Sequence, residues 1–260
     1  MQLAFYKYQG TGNDFILIDN QAGLFTYNKE LVARLCDRNF GIGADGLILI
    51  ENAEGFDFRM VYYNSDGSPA TMCGNGGRCI TAFANRLGVI DKNAVFISAD
   101  GTHSAAIKTV EGQTAEVELT MKDVTFLQKN EHFVILNTGT PHYVSFVDDP
   151  DLINIVAEGR KIRYSPEFAP VGINVNFAKL YGNQIYVRTY EKGVEDETLS
   201  CGTGVTASAI AASEFTQGGN FIVTTLGGKL SVDFEKDGNK YTNIRLSGPA
   251  TFVYSGEISI

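Results

Sequence analysis

The alternation of apolar and polar residues predicts a chain with many strands and few helices. Runs of strand character occur at residues 15–18, 47–50, 56–62 and 133–136. Hairpin turns flanked by β-branched or aromatic residues are indicated at Glu111-Gly112 and at Tyr181-Gly182-Asn183. Strands clearly outnumber helices, so the pattern is not that of a simple alternating βαβ sheet.

Helical spacing of apolar residues is found in only a few segments. These are residues 29–37, 76–87, 152–158 and 205–215. Gly88 follows the second segment, where a C-terminal glycine cap is expected. The last segment is rich in alanine, and small side chains would let that helix lie close to surrounding strands. The sequence therefore predicts an α+β fold with one core helix in each half.

Two glycine-cysteine motifs lie 128 positions apart, and each opens a predicted helix: CGNG from Cys73 and CGTG from Cys201. Other landmarks recur at nearly the same offset: Thr-Gly-Asn at 11–13 with Thr-Gly-Thr at 138–140, Asp45 with Asn174, and Gly101 with Gly228. Agreement in both order and spacing predicts two copies of one half-size unit. We expect an N-terminal lobe of residues 1–115 plus 250–260, carrying Cys73, and a C-terminal lobe of residues 116–249, carrying Cys201.

Composition and charge narrow the classes of partner. The chain has 260 residues, 44% of them hydrophobic, which is enough for one large or two medium cores. No stretch approaches about 18 consecutive apolar residues and no secretion signal is evident, so we expect a cytoplasmic protein with no membrane partner. The net charge of -9 argues against nucleic acid as a partner. A small polar molecule remains the expected partner.

The cysteines fall into two kinds. Cys36 and Cys79 lie on apolar faces of predicted helices, so we interpret them as buried packing residues. Cys73 and Cys201 stand at helix starts, where unpaired backbone N–H groups and the positive end of the helix dipole favour thiolate over thiol. These two thiols form a candidate acid/base pair. No cysteine or histidine cluster has the spacing of a metal site, so no metal is predicted.

The glycines of the two motifs suit an anionic ligand. They let backbone N–H groups at a helix start approach a carboxylate closely. A phosphate-binding loop is the competing interpretation, but no Lys-Ser or Lys-Thr follows either motif. Inverting a carbon next to a carboxylate requires a proton to leave one face and another to arrive on the opposite face. Two opposed thiols are sufficient for that reaction.

Several motifs together resemble the diaminopimelate epimerase family. They are GTGNDF at 10–15, NSDGS at 64–68, CGNGGRC at 73–79, PH at 141–142, YE at 190–191 and CGTG at 201–204. The resemblance implies a cofactor-independent enzyme that interconverts LL- and meso-diaminopimelate, on the route to lysine and peptidoglycan. It also implies two pseudo-symmetric lobes, each a mostly antiparallel β-barrel around a central helix. A homodimer is suggested by the resemblance alone.

The resemblance assigns roles to individual residues. Cys73 and Cys201 match the catalytic thiols, and His142 and Glu191 match residues that help to set their protonation states. Substrate-binding positions are implied at Asn13, Asn64, Gly74, Asn75, Asn174, Glu191, Lys192, Gly202 and Thr203. Amides suit a zwitterionic ligand because each offers donors and an acceptor. Taken alone, a single histidine is more often structural, and asparagines beside glycines usually form turns.

Departures from the family pattern concern specificity. Lys192 stands where arginine is usual, Thr140 where asparagine is usual, and Gly46 where some members have glutamine. A lysine cannot make the bidentate contact of an arginine with a carboxylate. Recognition of the distal end of the substrate is therefore the part of the site most open to change.

Other functions stay open from the sequence. One is a racemase or epimerase of another amino acid on the same fold, of the proline, hydroxyproline or histidine type. Proline racemase-like chains tend to carry histidine where this chain has Asn75, which disfavours that alternative. Phenazine-biosynthesis relatives act without the cysteine pair, so Cys73 and Cys201 disfavour them. A non-catalytic amino-acid-binding protein is the alternative from a different class.

Overall fold

The chain divides into two compact units, one formed by the chain up to Leu119 together with Gly248–Ile260 and the other by Thr120–Ser247. This division is seen in a computed structural model that describes residues 2–260. The elements of the first half are β1 (Gln2–Gly10), β2 (Asn13–Asp19), α1 (Lys29–Cys36), β3 (Gly46–Glu51), β4 (Phe58–Asn64), β5 (Pro69–Ala70), α2 (Gly74–Arg86), β6 (Asn93–Ser98), β7 (Gly101–Glu111) and β8 (Thr114–Thr120). Those of the second half are β9 (Leu127–Lys129), β10 (Phe133–Asn137), β11 (Pro141–Phe146), a 3₁₀ turn (Pro150–Leu152), α3 (Ile155–Arg163), β12 (Asn174–Tyr181), β13 (Gln184–Glu191), β14 (Asp196–Thr198), α4 (Gly202–Ala212), β15 (Asn220–Thr225), β16 (Gly228–Asp237) and β17 (Lys240–Ser259).

The first unit is an eight-stranded barrel. Its strands pair in the order β1, β2, β3, β4, β6, β7, β8 and the second part of β17, which pairs back to β1 and closes the ring. All pairs are antiparallel except β2 with β3 and β4 with β6. Helix α2 lies inside, and every residue from Gly74 to Ala84 is buried.

The second unit repeats this plan around α4. Strands β10, β11, β12, β13, β15, β16 and the first part of β17 pair in the same order and with the same directions as their counterparts. The ring continues through β9, which pairs with β10, and through Val124, which bridges to Tyr241 of β17. The buried face of α4 includes four alanines, so the helix packs closely against the strands around it. The predicted α+β fold of two similar lobes, each a mostly antiparallel barrel around a central helix, is confirmed.

The predicted landmarks occupy matching places in the two units. Gly101 and Gly228 begin β7 and β16 with φ of 122° and 144°, a region that favours glycine. Gly112 and Gly182, both at φ 61°, form the two predicted hairpin turns. Gly88, at φ 74°, follows the end of α2, as predicted.

Helix bounds differ from prediction where capping decides them. Both α2 and α4 begin earlier than predicted, directly after their cysteines, because these cysteines are the N-caps with extended backbone. The helix predicted over residues 152–158 is wrong in its bounds. Residues 150–152 form a 3₁₀ turn, and Asn154 then caps α3 by accepting the N–H of Ala157 at 3.1 Å.

No helix within residues 2–260 has the length and apolar character needed to span a membrane.

Candidate active site

Cys73 is held at the N-terminus of α2 in an extended conformation, with φ −112° and ψ 152°. Its partly exposed sulfur accepts the backbone N–H of Gly76 at 3.2 Å. A sulfur that accepts an N–H at the positive end of a helix is stabilised as thiolate. The structure therefore places Cys73 at the helix start, as predicted, and its role as an acid/base group stays a prediction.

A fully buried arginine, Arg78, follows the first turn of α2. The guanidinium of Arg78 donates to the carbonyl of Gly74 at 3.2 Å, to Oδ1 of Asn75 at 3.0 Å, to Oγ1 of Thr11 at 3.2 Å and to the carbonyl of Pro249 at 3.4 Å. Burial lowers the pKa of Arg78, but a guanidinium in a protein stays charged. Among the described residues, no carboxylate forms a salt bridge with Arg78, although Glu116 lies near enough for the two charges to interact.

Asn75 and Asn13, two predicted substrate-binding residues, belong to one chain of side-chain amides. Nδ2 of Asn75 donates to Oδ1 of Asn13 at 3.3 Å, and Nδ2 of Asn13 donates to Oδ2 of Asp45 at 2.7 Å. Asp45 is itself held by Arg38, which also binds Asp14 through both oxygens. The first unit thus brings together Cys73, Gly74, Asn75 and Asn13 at the start of α2.

Asn64 occupies a separate, exposed turn after β4. Its Nδ2 donates to Oγ of Ser68 at 3.2 Å, and Asp66 accepts the N–H of Ser68 at 2.8 Å. These contacts order the turn that carries Asn64. Its predicted role in substrate binding stays a prediction.

Gly46, the position where some family members have glutamine, has no room for a side chain. A Cβ there would lie 2.5 Å from Cε2 of Tyr62 and 2.7 Å from the carbonyl oxygen of Tyr63. The ring of Tyr62 therefore occupies the space that the Cβ of a glutamine would need.

Cys201 has the same place in α4 as Cys73 in α2, but its surroundings differ. It is the N-cap, with φ −115°, and it is 8% exposed. Its sulfur makes no N-cap hydrogen bond to the helix and lies 3.4 Å from Oγ1 of Thr203 instead. Thr203 is anchored in turn, since its carbonyl accepts from Oγ1 of Thr138 at 2.9 Å.

His142 is connected to Cys201 through Thr203. Its Nε2 lies 2.9 Å from Oγ1 of Thr203, and its Nδ1 lies 3.1 Å from Nδ2 of Asn176. The imidazole is fully buried, and this burial, together with the charge of Lys192, lowers the pKa of His142 to about 3. His142 is therefore neutral at physiological pH, although it lies in the predicted site.

Asn176, which the sequence analysis missed, lies beneath the first turn of α4. It also donates to the carbonyl of Tyr143 at 3.1 Å and accepts from Oγ1 of Thr189 at 3.0 Å. A Cβ on Gly204 would lie 2.5 Å from its Oδ1, so the last glycine of the CGTG motif makes room for this amide. One signal was present in the sequence: Asn174 and Asn176 alternate along the buried first half of β12 and so share one face of the strand.

Asn174 orders the loop that follows β13. Its Nδ2 donates to Oγ1 of Thr140 at 3.3 Å and to the carbonyl of Pro141 at 3.1 Å, and its Oδ1 accepts the backbone N–H of Lys192 at 2.9 Å. The neighbouring Glu191 accepts from Oγ1 of Thr198 at 2.9 Å. Asn174, Glu191 and Lys192 are thus brought together in the second unit, where the end of β13 meets the start of β12.

Glu195 fixes the other end of this loop. It accepts from Arg163, from the hydroxyls of Tyr164 and Tyr190, and from the N–H of Gly193 at 3.0 Å. Burial opposes ionisation of the carboxyl, but these donors outweigh it and lower the pKa of Glu195 to about 2.

The two cysteines predicted to be packing residues are buried, which confirms the prediction. Cys36 is 3% exposed and Cys79 is fully buried. Burial raises the pKa of both thiols, that of Cys36 to about 12. Neither has the thiolate character expected of an acid/base group.

Comparison with known proteins gives consistent results along almost the whole chain. The family described as diaminopimelate epimerase matches residues 5–127 and 134–253. A diaminopimelate epimerase of Flavobacterium psychrophilum is 51% identical over 257 residues, covering 97% of this chain and 99% of that protein. One of Chlorobaculum tepidum is 41% identical over 260 residues, covering 96% of this chain and 99% of that protein.

Solved structures share the fold at much lower sequence identity. A PhzF-family phenazine biosynthesis protein of Bacillus anthracis superposes with a TM-score of 0.75 at 15% identity, covering 100% of both chains. A hydroxyproline epimerase of Agrobacterium vitis superposes with a TM-score of 0.69 at 13% identity, covering 100% of this chain and 93% of the other. At these identities the likeness concerns the fold alone.

Proposed function

Because the chain belongs to the diaminopimelate epimerase family and is therefore an isomerase, we propose that it inverts one α-carbon of diaminopimelate through the thiols of Cys73 and Cys201. One observation carries this mechanism: each motif thiol is the N-cap of the buried central helix of its own barrel. Such a position favours thiolate and presents backbone N–H groups beside it. The reaction supplies meso-diaminopimelate for lysine and peptidoglycan synthesis.

The proton balance needs only these two side chains. One cysteine, as thiolate, accepts the proton that leaves the α-carbon, and the C–H electron pair stays on carbon. The other cysteine, as thiol, delivers a proton to the opposite face of the same carbon and becomes a thiolate. The thiols exchange protonation states in each turnover, so each serves as base for one direction of the reaction. No cofactor enters this balance.

The helix starts supply the stabilisation that a carbanion-like transition state requires. Backbone N–H groups of Gly74 and Asn75 on α2, and of Gly202 and Thr203 on α4, belong to first turns whose N–H groups have no partner within the helix. Directed at the substrate α-carboxylate, they bind it and accept the negative charge that develops next to the reacting carbon. Asn13, Asn64 and Asn75 provide amides for the ammonium and carboxylate groups of the ligand.

Lys192 is the residue we assign to the distal carboxylate. Asn174 holds its backbone N–H, which fixes where the side chain starts. A lysine makes one ion-pair contact where an arginine would make two, and water completes the contact with the second carboxylate oxygen. Glu191 acts beside it on the protonation of the thiol pair, and His142 acts on Cys201 through Thr203.

Chiral analysis of the products tests the function directly. Purified protein is incubated with LL-diaminopimelate in heavy water, and the isomers and the deuterium at Cα are measured together. We expect meso isomer to form with deuterium at the inverted centre. No meso isomer while proline, hydroxyproline or histidine racemises would assign the protein to another amino acid. Binding of diaminopimelate without any deuterium incorporation would identify a non-catalytic binding protein.

A further inference from the structure

Asn176 is oriented unambiguously by its neighbours. The carbonyl of Tyr143 can only accept a hydrogen bond, and it lies 3.1 Å from one end of the Asn176 amide. That end must therefore be the NH₂ group. The opposite end is Oδ1, which accepts from Oγ1 of Thr189 at 3.0 Å. Gly204 leaves space for Oδ1 beneath α4, where a Cβ would come within 2.5 Å of it.

The orientation of Asn176 determines which nitrogen of His142 carries the proton. The same NH₂ group donates to Nδ1 of His142 at 3.1 Å, so Nδ1 must present its lone pair. In a neutral imidazole the proton is then on Nε2. Nε2–H points at Oγ1 of Thr203 at 2.9 Å and donates to it.

The position of the Thr203 hydroxyl proton follows in the same way. Its oxygen accepts from Nε2–H of His142, which leaves the O–H free to turn toward the sulfur of Cys201, 3.4 Å away. A hydroxyl that donates to sulfur stabilises the thiolate form of Cys201. This contact substitutes for the N-cap bond that Cys73 makes with the N–H of Gly76 and that Cys201 lacks.

We infer that Asn176 is a positioning residue that keeps His142 a neutral Nε2–H donor, so that His142 supports Cys201 by orienting the Thr203 hydroxyl and not by accepting a proton. The effect of Asn176 on turnover rests on the proposed function. Its structural part, the tautomer of His142, stands independently. Both nitrogens of His142 are engaged: Nδ1 accepts from Asn176 and Nε2 carries its own hydrogen.

Nitrogen NMR of the wild-type protein tests the tautomer without any substitution at the site. Protein labelled with ¹⁵N at histidine contains three labelled rings, which His103→Gln and His132→Gln assign by loss of their signals. At pH 7 we expect His142 to show a protonated Nε2 and an unprotonated Nδ1. A protonated Nδ1, or an imidazolium, would overturn the inference whatever the activity.

Asn176→Asp and Thr189→Val provide a matched pair. Thr189→Val removes the hydrogen bond that Asn176 accepts, and Asn176→Asp removes the one that it donates to Tyr143. Only aspartate also replaces the donor to Nδ1 by an acceptor and so moves the proton from Nε2 to Nδ1. We expect the His142 signals to report the new tautomer in Asn176→Asp only. We also expect its kcat to fall about tenfold below that of Thr189→Val, the effect of losing one hydrogen bond to a charged group. Equal kcat values with a changed tautomer would refute the role in turnover.

The outcomes for function and for tautomer are separable. If wild-type protein incorporates no deuterium into diaminopimelate while His142 is Nε2–H, the proposed function fails and the assignment of the tautomer stands. If deuterium is incorporated and His142 is Nδ1–H, the proposed function stands and the role of Asn176 fails. Should Asn176→Asp not fold, the wild-type spectrum alone still decides the tautomer.

Discussion

Nδ2 of Asn13 lies 2.7 Å from Oδ2 of Asp45, a contact that joins the first residue of β2 to the residue before β3. The matching residues of the second unit, Thr140 and Asn174, make the matching contact at 3.3 Å, with the donor and acceptor exchanged. A duplicated scaffold has therefore kept the connection while its chemical groups diverged. Each motif cysteine accordingly stands beside a turn that is held in place by a side-chain bond.

Loss of either motif thiol is expected to slow turnover strongly without unfolding the protein. Cys73→Ser and Cys201→Ser should each lower kcat by about 10²–10⁴-fold, the range for removing a general acid or base. Steady-state epimerisation assays would measure this. Cys36→Ala is the matched control, because that thiol is buried away from the helix starts and should leave kcat unchanged. Near-normal turnover by Cys201→Ser would contradict the two-thiol mechanism.

Arg78→Lys is expected to destabilise the first unit. A lysine is a point charge and cannot reach Gly74, Thr11 and Pro249 together, so buried acceptors lose their donors. We expect the free energy of unfolding to fall by about 2–4 kcal/mol in urea titrations. Arg86→Lys on the same helix is the control. Arg86 is exposed, with its guanidinium 3.9 Å over the ring of Phe252 and hydrogen-bonded to Tyr8, and lysine keeps the charge there, so its replacement should cost under about 1 kcal/mol.

The last glycines of the two motifs should differ in their tolerance of alanine. A Cβ at Gly204 meets the pinned amide of Asn176 at 2.5 Å, whereas one at Gly76 meets side-chain ends and the sulfur of Cys73 at 3.1–3.3 Å. We expect Gly204→Ala to lower the free energy of unfolding by about 1–3 kcal/mol and Gly76→Ala to cost less. Urea midpoints of the two variants, measured side by side, would decide. A larger loss for Gly76→Ala would contradict the packing described beneath α4.

The low pKa of Glu195 leads us to expect that the protein loses stability at acid pH. Its pKa in the folded state, about 2, lies below that of an unfolded glutamate, so its ionisation favours folding above about pH 4.3. That contribution falls as the pH drops from about 4.3 toward 2. We expect Glu195→Gln to be less stable than wild type at pH 6 and the difference to shrink progressively toward pH 2, measured by urea unfolding. Glu54→Gln, at an exposed carboxylate, should show no comparable trend. A constant difference at all pH values would contradict the assignment.

Lys192 offers a test of distal-end recognition. We expect Lys192→Ala to raise KM for diaminopimelate by about 10-fold or more, because the ion pair is lost. Lys192→Arg should retain a KM close to that of wild type or lower it, since the fork restores a bidentate contact. The measurement is steady-state KM for the three proteins, with kcat recorded alongside. An unchanged KM in Lys192→Ala would remove Lys192 from the substrate site.

The sequence was sufficient for the features that depend on local chemistry. The glycine turns at Gly101 and Gly228 and the helix starts at Cys73 and Cys201 are properties of short segments, so their recurrence at one offset predicted two similar units. That each unit is a barrel was implied only by the resemblance to the family. Burial of Cys36 followed from helical spacing alone in the same way.

The features that could not be predicted from the sequence depend on contacts between residues far apart along the chain. The guanidinium of Arg78 donates to the carbonyl of Pro249, 171 residues away, and the residues near Arg78 in the sequence do not predict its burial. Asn176 matters because it reaches Tyr143 and His142 on the neighbouring parallel strand, where Val144 is the residue paired with it, and hydrophobic patterns do not fix this register. The candidate thiols could be predicted, whereas the groups that orient them could not.

Strand β17 belongs to both barrels, since its first part pairs with β16 and its second part with β8 and β1. During synthesis β1 leaves the ribosome long before β17, and its outer edge stays unpaired until β17 has emerged. Two hundred and more residues separate these partners, so closing the first barrel carries a large loop-closure entropy and is expected to be slow. The nascent first unit therefore exposes an open strand edge until β17 is made, and it is at this edge that a chaperone would be most useful.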